Sequence, residues 1–430
     1  MSHPPPPVDL HEHLFRHEAG RMTASLTRLF GVQNLALVED VVQDAFCRAL
    51  EVWKLRGVPP NPSAWLMTTA RNRALDVIRR ERTARTFAPE LTRLLETEWT
   101  AAAVVAEAFS GDVVLAEQLR MMFTCCHPDL PEPAQIALIL NILCGFGAPE
   151  IAAAFLTSRA AIEKRITRGK QALARSTILF DLSDAAFAAR LTAVHRALYL
   201  LFSEGYHGAS AQGAVRAELC EEAIRLTALL REHPVTRTPA TFALSALMAL
   251  HAARLPARVD AAGELQALWE QDRSAWNRNL IAEGQALLDR SAAGDELTAY
   301  HVEAAIAVVH AAAPTLAATD WNAIVTLYDR LMGIAPSAVV ALNRAIAVAQ
   351  RDGPDRGLEA IEQIADRDRL AAYPFLPAAM GELERRRGNA ALAGQYFQQA
   401  LRLARSDAER RYLERRITLT AIAPPSVTAP

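Results

Sequence analysis

Cysteine is scarce: five in 430 residues (Cys47, Cys125, Cys126, Cys144 and Cys220), an odd number scattered along the chain. They make no disulfide framework. The run "TCCHP" (Thr124 to Pro128) suggests metal chemistry. Adjacent cysteines seldom share one ion, however, and no second Cys/His pair stands at zinc spacing. The favoured reading is structural cysteines at a helix end, and no metal or cofactor is assigned. Charge of one sign is missing too, since the formal net charge is −2. Any binding of nucleic acid has to come from local patches. No apolar run reaches the roughly 18 uninterrupted residues of a membrane span. The start, "MSHPPPPVDLHEH", has no signal-peptide core. No membrane partner is expected, and the expected location is the cytoplasm. Runs of β-branched residues and period-two alternation are scarce, which argues against sheets. There is no Gly-rich phosphate loop and no nucleophile elbow.

What remains is a chain that is 51% apolar and rich in Ala and Leu, enough for well-buried helical cores. The fold class is predicted to be all-α, and the length suggests roughly three domains. Helical stretches are predicted at about 10–30, 35–56 and 62–84, with "GVPPNP" (Gly57 to Pro62) breaking the second from the third. Asn61 is a candidate N-cap and Pro62 stands at the first helical position. The boundaries adopted are 1–85, a linker 86–111, a second module 112–178, and a long helical part 179–430.

Helical spacing sorts the faces of these segments. In the second stretch Val38, Val41, Val42, Ala45, Ala49 and Val52 form a core stripe. Glu39, Asp40, Gln43, Cys47 and Glu51 face out, with Asp44 and Arg48 at the border. In the third, Leu66, Ala70, Ala74, Val77 and Ile78 are inward, opposite Trp65, Thr69, Asn72, Asp76 and Arg79. Arginines 71, 73, 80, 82 and 85 flank that face. Part of this excess complements the helix dipole. Trp65 reads two ways, as a ring under a loop or as a stacking platform for an unpaired base. Further on, "APEIAAAFLTSRAAIEKRITRGKQALAR" has the grammar of a helix-turn-helix. Ile151, Ala152 and Phe155 point inward, Ser158 caps, and Ile162, Ile166, Gly169 and Leu173 make one stripe. Lys164, Thr167, Arg168, Gln171 and Arg175 lie opposite, where a recognition helix would meet a major groove.

Together these segments resemble a bacterial RNA polymerase sigma factor of the extracytoplasmic-function group within the sigma-70 family. "LVEDVVQDAFCRALEVW" is similar to that family's core-polymerase-binding segment in region 2. "NPSAWLMTTARNRALDVIRRER" resembles its promoter −10 segment, and Ala137 to Arg175 resembles region 4, which reads the −35 element. In the short helix of region 4, Phe146-Gly147-Ala148 stands where a Ser or Thr often caps. The resemblance implies three contact sets. Asp40, Gln43, Asp44 and Arg48 would meet core RNA polymerase. Trp65, Arg71, Asn72, Asp76, Arg79 and Arg80 would hold the −10 DNA as it melts, and Ser158, Arg159, Lys164, Arg165, Arg168 and Gln171 would read the −35 duplex.

The C-terminal part carries a loose repeat. Gly381, Ala393, Phe397 and Ala400 fit a tetratricopeptide-like helix pair around "RGN". About 36 residues earlier Ala345, Gly357 and Ile361 repeat the pattern around "RDGP". Such stacks leave a concave groove for a peptide or protein partner. "LFSEGYHG" and "DGPDRGL" resemble stretches of the sigma subgroup with such an extension. In the second, Asp352 is expected to cap, Gly353 to take positive φ, Pro354 to start a helix and Gly357 to allow close approach. This turn is expected to be regulatory. Two rival readings remain. One is a stand-alone helix-turn-helix regulator with a tetratricopeptide-like sensor. The other is a helical enzyme using Glu204, His207 or His301. The first does not account for the acidic-Gln helix followed by the arginine helix and their spacing; the second has neither metal spacing nor a paired base, and no enzyme activity is expected.

Overall fold

The computed structural model describes residues 7–81, 111–155, 157–175, 183–207, 215–260 and 263–422. The expected linker, Arg82 and Arg85 lie outside the described residues. Among the described residues there are helices and turns, with a lone β-bridge between Val259 and Leu265. The chain divides into two compact units, one of Met1–Ala152 with Thr157–Leu200, the other of Ala153–Leu156 with Leu201–Pro430.

The first unit is built around α1 (Pro7–Phe30), which packs on α2 (Leu35–Arg56), α3 (Pro62–Glu81) and α4 (Gly111–Cys125). It also meets α5 (Glu132–Leu138), at its continuation as a wide π turn over Ile139–Leu143. Helix α1 is therefore buried on several sides at once: Met22, Ala24, Leu26 and Phe30, but also Glu18, Ser25 and Thr27, have almost no exposed surface. Some of its polar groups are met locally, as where Thr27 Oγ1 donates to Thr23 O at 2.7 Å. Gly20 marks the closest approach: a Cβ there would lie 1.9 Å from the Leu143 carbonyl oxygen. α6 (Ala148–Ala154), α7 (Arg159–Arg175) and α8 (Asp184–His207) follow, and the division between units falls within α8.

The second unit stacks α9 (Ala217–Glu232), α10 (Pro239–Ala252), α11 (Arg278–Ser291), α12 (Ala299–Ala312) and α13 (Trp321–Ile334). It continues through α14 (Ala338–Asp352), α15 (Pro354–Glu362), α16 (Phe375–Arg386), α17 (Ala390–Leu403) and α18 (Asp407–Ile422). Most pack on their neighbours in sequence. Side-chain caps start several of them, for example Asp320 on Ala323 N at 3.0 Å and Ser337 on Val340 N at 3.1 Å. α10 is the core helix, buried along all of its length except Pro239 and His251. By length and composition α8 and Pro239–Ala257 are both apolar enough to cross a membrane, but the second is 78% buried within the fold.

The expected small-residue positions lie at helix crossings. Gly381 faces the Phe397 ring, while Gly357 faces Ala349, whose Cβ would stand 2.3 Å from an added one. Ala345, Ile361, Ala393 and Ala400 are buried. At the turn before α15, Gly353 has φ 95° and Pro354 opens the helix as expected. Asp352 does not cap it. Its carboxylate is held by Arg351 at 2.7 and 2.9 Å, and Gly353 occupies the cap position without a side chain to offer.

Two substitutions test these crossings. Gly20→Ala and Gly357→Ala each add a methyl where backbone or Cβ atoms already stand, and should lower stability by about 1–3 kcal/mol in urea unfolding. Gly333→Ala, on open surface in α13, should be neutral or stabilising by up to about 1 kcal/mol.

Candidate nucleic-acid interface

α3 begins as its sequence predicts. The Asn61 side chain accepts from Ala64 N at 3.0 Å, and Pro62 needs no donor at the first helical position. Leu66, Ala70, Ala74 and Val77 are buried, and Ile78 lies outside the residues whose side chains are described. The outer face of α2 carries Asp40, Gln43, Asp44 and Arg48, all exposed, while Arg48 pairs with Glu51 at 3.2 Å. The core stripe of α2 needs one correction. Val52 is half-buried, and Trp53 beside it is the buried residue at the end of the stripe. The signal was present, because Trp53 stands four positions after Ala49.

Between α2 and α3 lies a cleft of about 570 Å³. Asp44, Cys47, Arg48 and Glu51 line one side, and Trp65, Thr69, Asn72, Arg73 and Asp76 the other. Arg73 Nε donates to Asp44 Oδ2 at 2.6 Å and fastens the two helices. Trp65 is half-buried, edge-on to Trp53 with centroids 5.5 Å apart, and it lines the cleft. Asn72 and Asp76 are exposed and Arg71 is half-buried. Arg79 and Arg80 belong to α3, but their side chains lie outside the description. A cleft with an aromatic wall, an exposed amide and guanidiniums at its rim is suited to stacking and hydrogen-bonding an unpaired base.

In the helix-turn-helix, Glu150 supplies the cap that Phe146-Gly147-Ala148 lacks, with its carboxylate accepting from Gly147 N at 2.8 Å. Ile151 and Ala152 are buried, Phe155 is half-buried rather than fully inward, and Leu156 lies outside the described residues. Ser158 Oγ accepts from Ala161 N at 3.2 Å. Ile162, Ile166, Gly169 and Leu173 form the buried stripe of α7, and Leu138 of α5 sits where a side chain at Gly169 would go. Lys164, Arg168 and Gln171 are exposed on the opposite face and Arg165 is half-buried. Arg159 is exposed and pairs with Glu163 at 2.7 Å. Lys170 was not among the expected site residues. It reaches across the unit to an ion pair with Glu39 of α2, a residue expected to face solvent.

Three family profiles match the chain. Sigma-70 region 2 matches residues 14–84, and sigma-70 region 4 matches residues 120–173. A family of unknown function (DUF6596) matches residues 190–292. The RNA polymerase sigma factor CarQ of Myxococcus xanthus is 33% identical over 168 residues, which is 38% of this chain and 87% of CarQ. The uncharacterized protein R00370 of Rhizobium meliloti (strain 1021) is 38% identical over 405 residues, 94% of each chain. No solved structure matches. With both regions present in order, and the helices carrying them folded as described, the chain belongs to the sigma-70 family of RNA polymerase sigma factors. A stand-alone helix-turn-helix regulator has no use for the region 2 half.

Of the residues of the enzyme reading, His301 is taken up in a helix cap. His301 Nδ1 accepts from Thr298 N at 3.1 Å, in a helix-capping box. Burial pushes the Glu204 carboxyl up to about 7, against the opposing charge of Arg405, and holds the His207 imidazole down to about 3. Cys125 and Cys126 are buried at the end of α4, and desolvation pushes the Cys125 thiol up to about 12. They fill space as thiols.

The pair that fastens the cleft is partly exposed, at 33% and 50% for Arg73 and Asp44. Arg73→Gln should therefore cost at most about 1 kcal/mol of stability by thermal melting. A loss several times larger would mean that this pair carries the geometry of the whole cleft.

Proposed function

We propose that this sigma factor belongs to the extracytoplasmic-function group, with the exposed face of α2 docking on core polymerase. The cleft between α2 and α3 takes the melted −10 strand, and the exposed face of α7 reads the −35 duplex. The observation that carries this reading is the Asp44–Arg73 bond at 2.6 Å, which joins the acidic-Gln helix and the arginine helix along one cleft. Opening a duplex costs unpairing and unstacking, which base capture and arginine–phosphate contacts offset. Near-neutral overall charge is compatible with this, because Asp40 and Asp44 are suited to a basic partner surface while the cations of α7 are suited to phosphate.

We also propose that the free chain holds its two DNA-reading modules closed. The −10 and −35 elements lie roughly 25 base pairs apart, about 85 Å at 3.4 Å per step. The Lys170–Glu39 pair and the contact of Gly20 with Leu143 instead hold both modules in one compact unit. Promoter engagement then requires them to part, and the docking of α2 on polymerase is placed to drive that step. The second unit is read as a tetratricopeptide-like regulatory extension that governs the first. A chain ending at His207, which keeps all of α8, should differ strongly from the full chain in run-off transcription.

Two measurements separate the roles. Asp40→Lys combined with Gln43→Ala should abolish co-purification with core polymerase while helical content by circular dichroism survives. Lys164→Ala and Arg168→Ala should leave assembly intact and weaken −35 binding by roughly 1–3 kcal/mol, or lower its salt slope where the contact is to phosphate.

The closed arrangement has its own readout. In a Cys47→Ser background, where the other four cysteines are buried, Leu55→Cys and Asp129→Cys, on exposed surface outside the proposed contact sets, accept a donor and acceptor dye pair. Energy transfer should be high in the free chain and fall on addition of core polymerase and promoter DNA. Transfer that is low from the start would remove the closed arrangement.

A further inference from the structure

The second unit contains a cluster of cations and orphaned polar atoms that the sigma reading does not use. The turn after α10 supplies Arg254 and Arg258. The Arg258 guanidinium lies 4.4 Å over the Tyr206 ring and donates to the Tyr206 carbonyl oxygen at 3.2 Å. Arg254 lies 5.9 Å from the same ring and 5.4 Å from that of Trp276. Among the described residues neither arginine pairs with a carboxylate, and the one side-chain acceptor of Arg254 is Gln271 Oε1 at 3.5 Å. Nearby Arg273 shows what a purely structural arginine does in this fold. It gives its donors to His310 O at 2.9 Å, Ala313 O at 2.8 Å and Thr319 Oγ1 at 3.1 Å.

Around the two arginines, several polar atoms are buried with no hydrogen-bond partner: Tyr206 Oη, His251 Nδ1, His310 Nδ1 and Trp276 Nε1. They are held close together, the Tyr206 and His251 rings with centroids 5.1 Å apart. Buried polar atoms in folded proteins nearly always find partners, so four orphans in one cluster need a cause. Burial, and then the two arginines, hold the His251 imidazole well below its ordinary range; His310 is held down to about 3 in the same way, by burial and then Arg254 and Arg273. Both rings are neutral at pH 7, and a neutral imidazole can present an N–H at Nδ1. Two guanidiniums with no counter-charge, a phenol, an indole N–H and two imidazoles form a set of donors with an excess of positive charge. Arg254, Arg258 and His251 are half-buried, so each keeps part of its surface within reach of solvent.

We propose that this cluster is a binding site for a small-molecule oxyanion, a carboxylate or a phosphate group, held by Arg254 and Arg258 in the forked geometry that guanidinium favours. The anion supplies the missing counter-charge and accepts from the orphaned donors. The site stands on the chemistry of the second unit alone, whether or not that unit governs transcription.

The test uses the full chain with inorganic phosphate and succinate as probes, and sodium chloride at matched ionic strength as the control. Arginines are labelled with phenylglyoxal and read by peptide mass spectrometry. Labelling at Arg254 and Arg258 should fall at least threefold with phosphate, succinate or both, saturably, while labelling at Arg369, which is 78% exposed, stays unchanged. Protection by phosphate alone assigns the phosphate source, and protection by succinate alone the carboxylate. In parallel, the saturating anion should raise the melting temperature of the wild-type chain, and Arg254→Gln with Arg258→Gln should abolish that rise. No protection by either probe, or equal protection at Arg369 or by chloride, overturns the proposal. Because the labelling is done on the wild-type chain, it decides the matter even where the double variant folds poorly.

Discussion

Arg28 of α1 donates to Glu117 of α4 at 2.7 Å, and the Glu117 side chain has no exposed surface. A carboxylate removed from water is costly unless a charge and hydrogen bonds replace its hydration, so this pair tolerates little displacement. It ties the helix at the centre of the region 2 half to the helix that leads into region 4. The same helix makes its close approach to Leu143 at Gly20. α2 and α3 lean on α1 and are fastened to each other by Arg73 and Asp44. The cleft between them is therefore set by how α1 sits.

Much of this organisation was legible in the residues. Helical spacing identified the buried stripes of α2, α3 and α7 because each has one wet face, the condition under which period 3.6 carries information. Asn61, Pro62 and Ser158 act within one turn of themselves, so local chemistry sufficed to place them. Where the reading slipped, a longer-range partner had decided the outcome. Trp53 is drawn inward by the Phe15 and Trp65 rings, and Asp352 is taken by its neighbour Arg351 before it can reach the helix it precedes.

Other features left no periodic trace. From Glu18 onward α1 is wetted on so little of its surface that it shows no clean stripe. The Lys170–Glu39 pair joins positions 131 residues apart, and nothing in either local sequence singles out one partner for the other. The cluster around Arg254 gathers side chains from the end of α8, the end of α10, the turns before α11 and the end of α12. From sequence, "LFSEGYHG" stood out as a subgroup stretch, but its neighbours in space were not readable.

The distribution of sulfur sets how the chain meets an oxidant. Thiolate is the reactive form, and burial pushes the thiols of Cys125 and Cys220 up to about 12, so they offer almost none at neutral pH. Cys126 is pushed up as well, and Cys144 is shut away from solvent. Peroxide chemistry is thereby steered to Cys47 alone. That residue lines the cleft between α2 and α3, so the first rung of oxidation would place a sulfenic acid among the groups proposed to face the promoter strand.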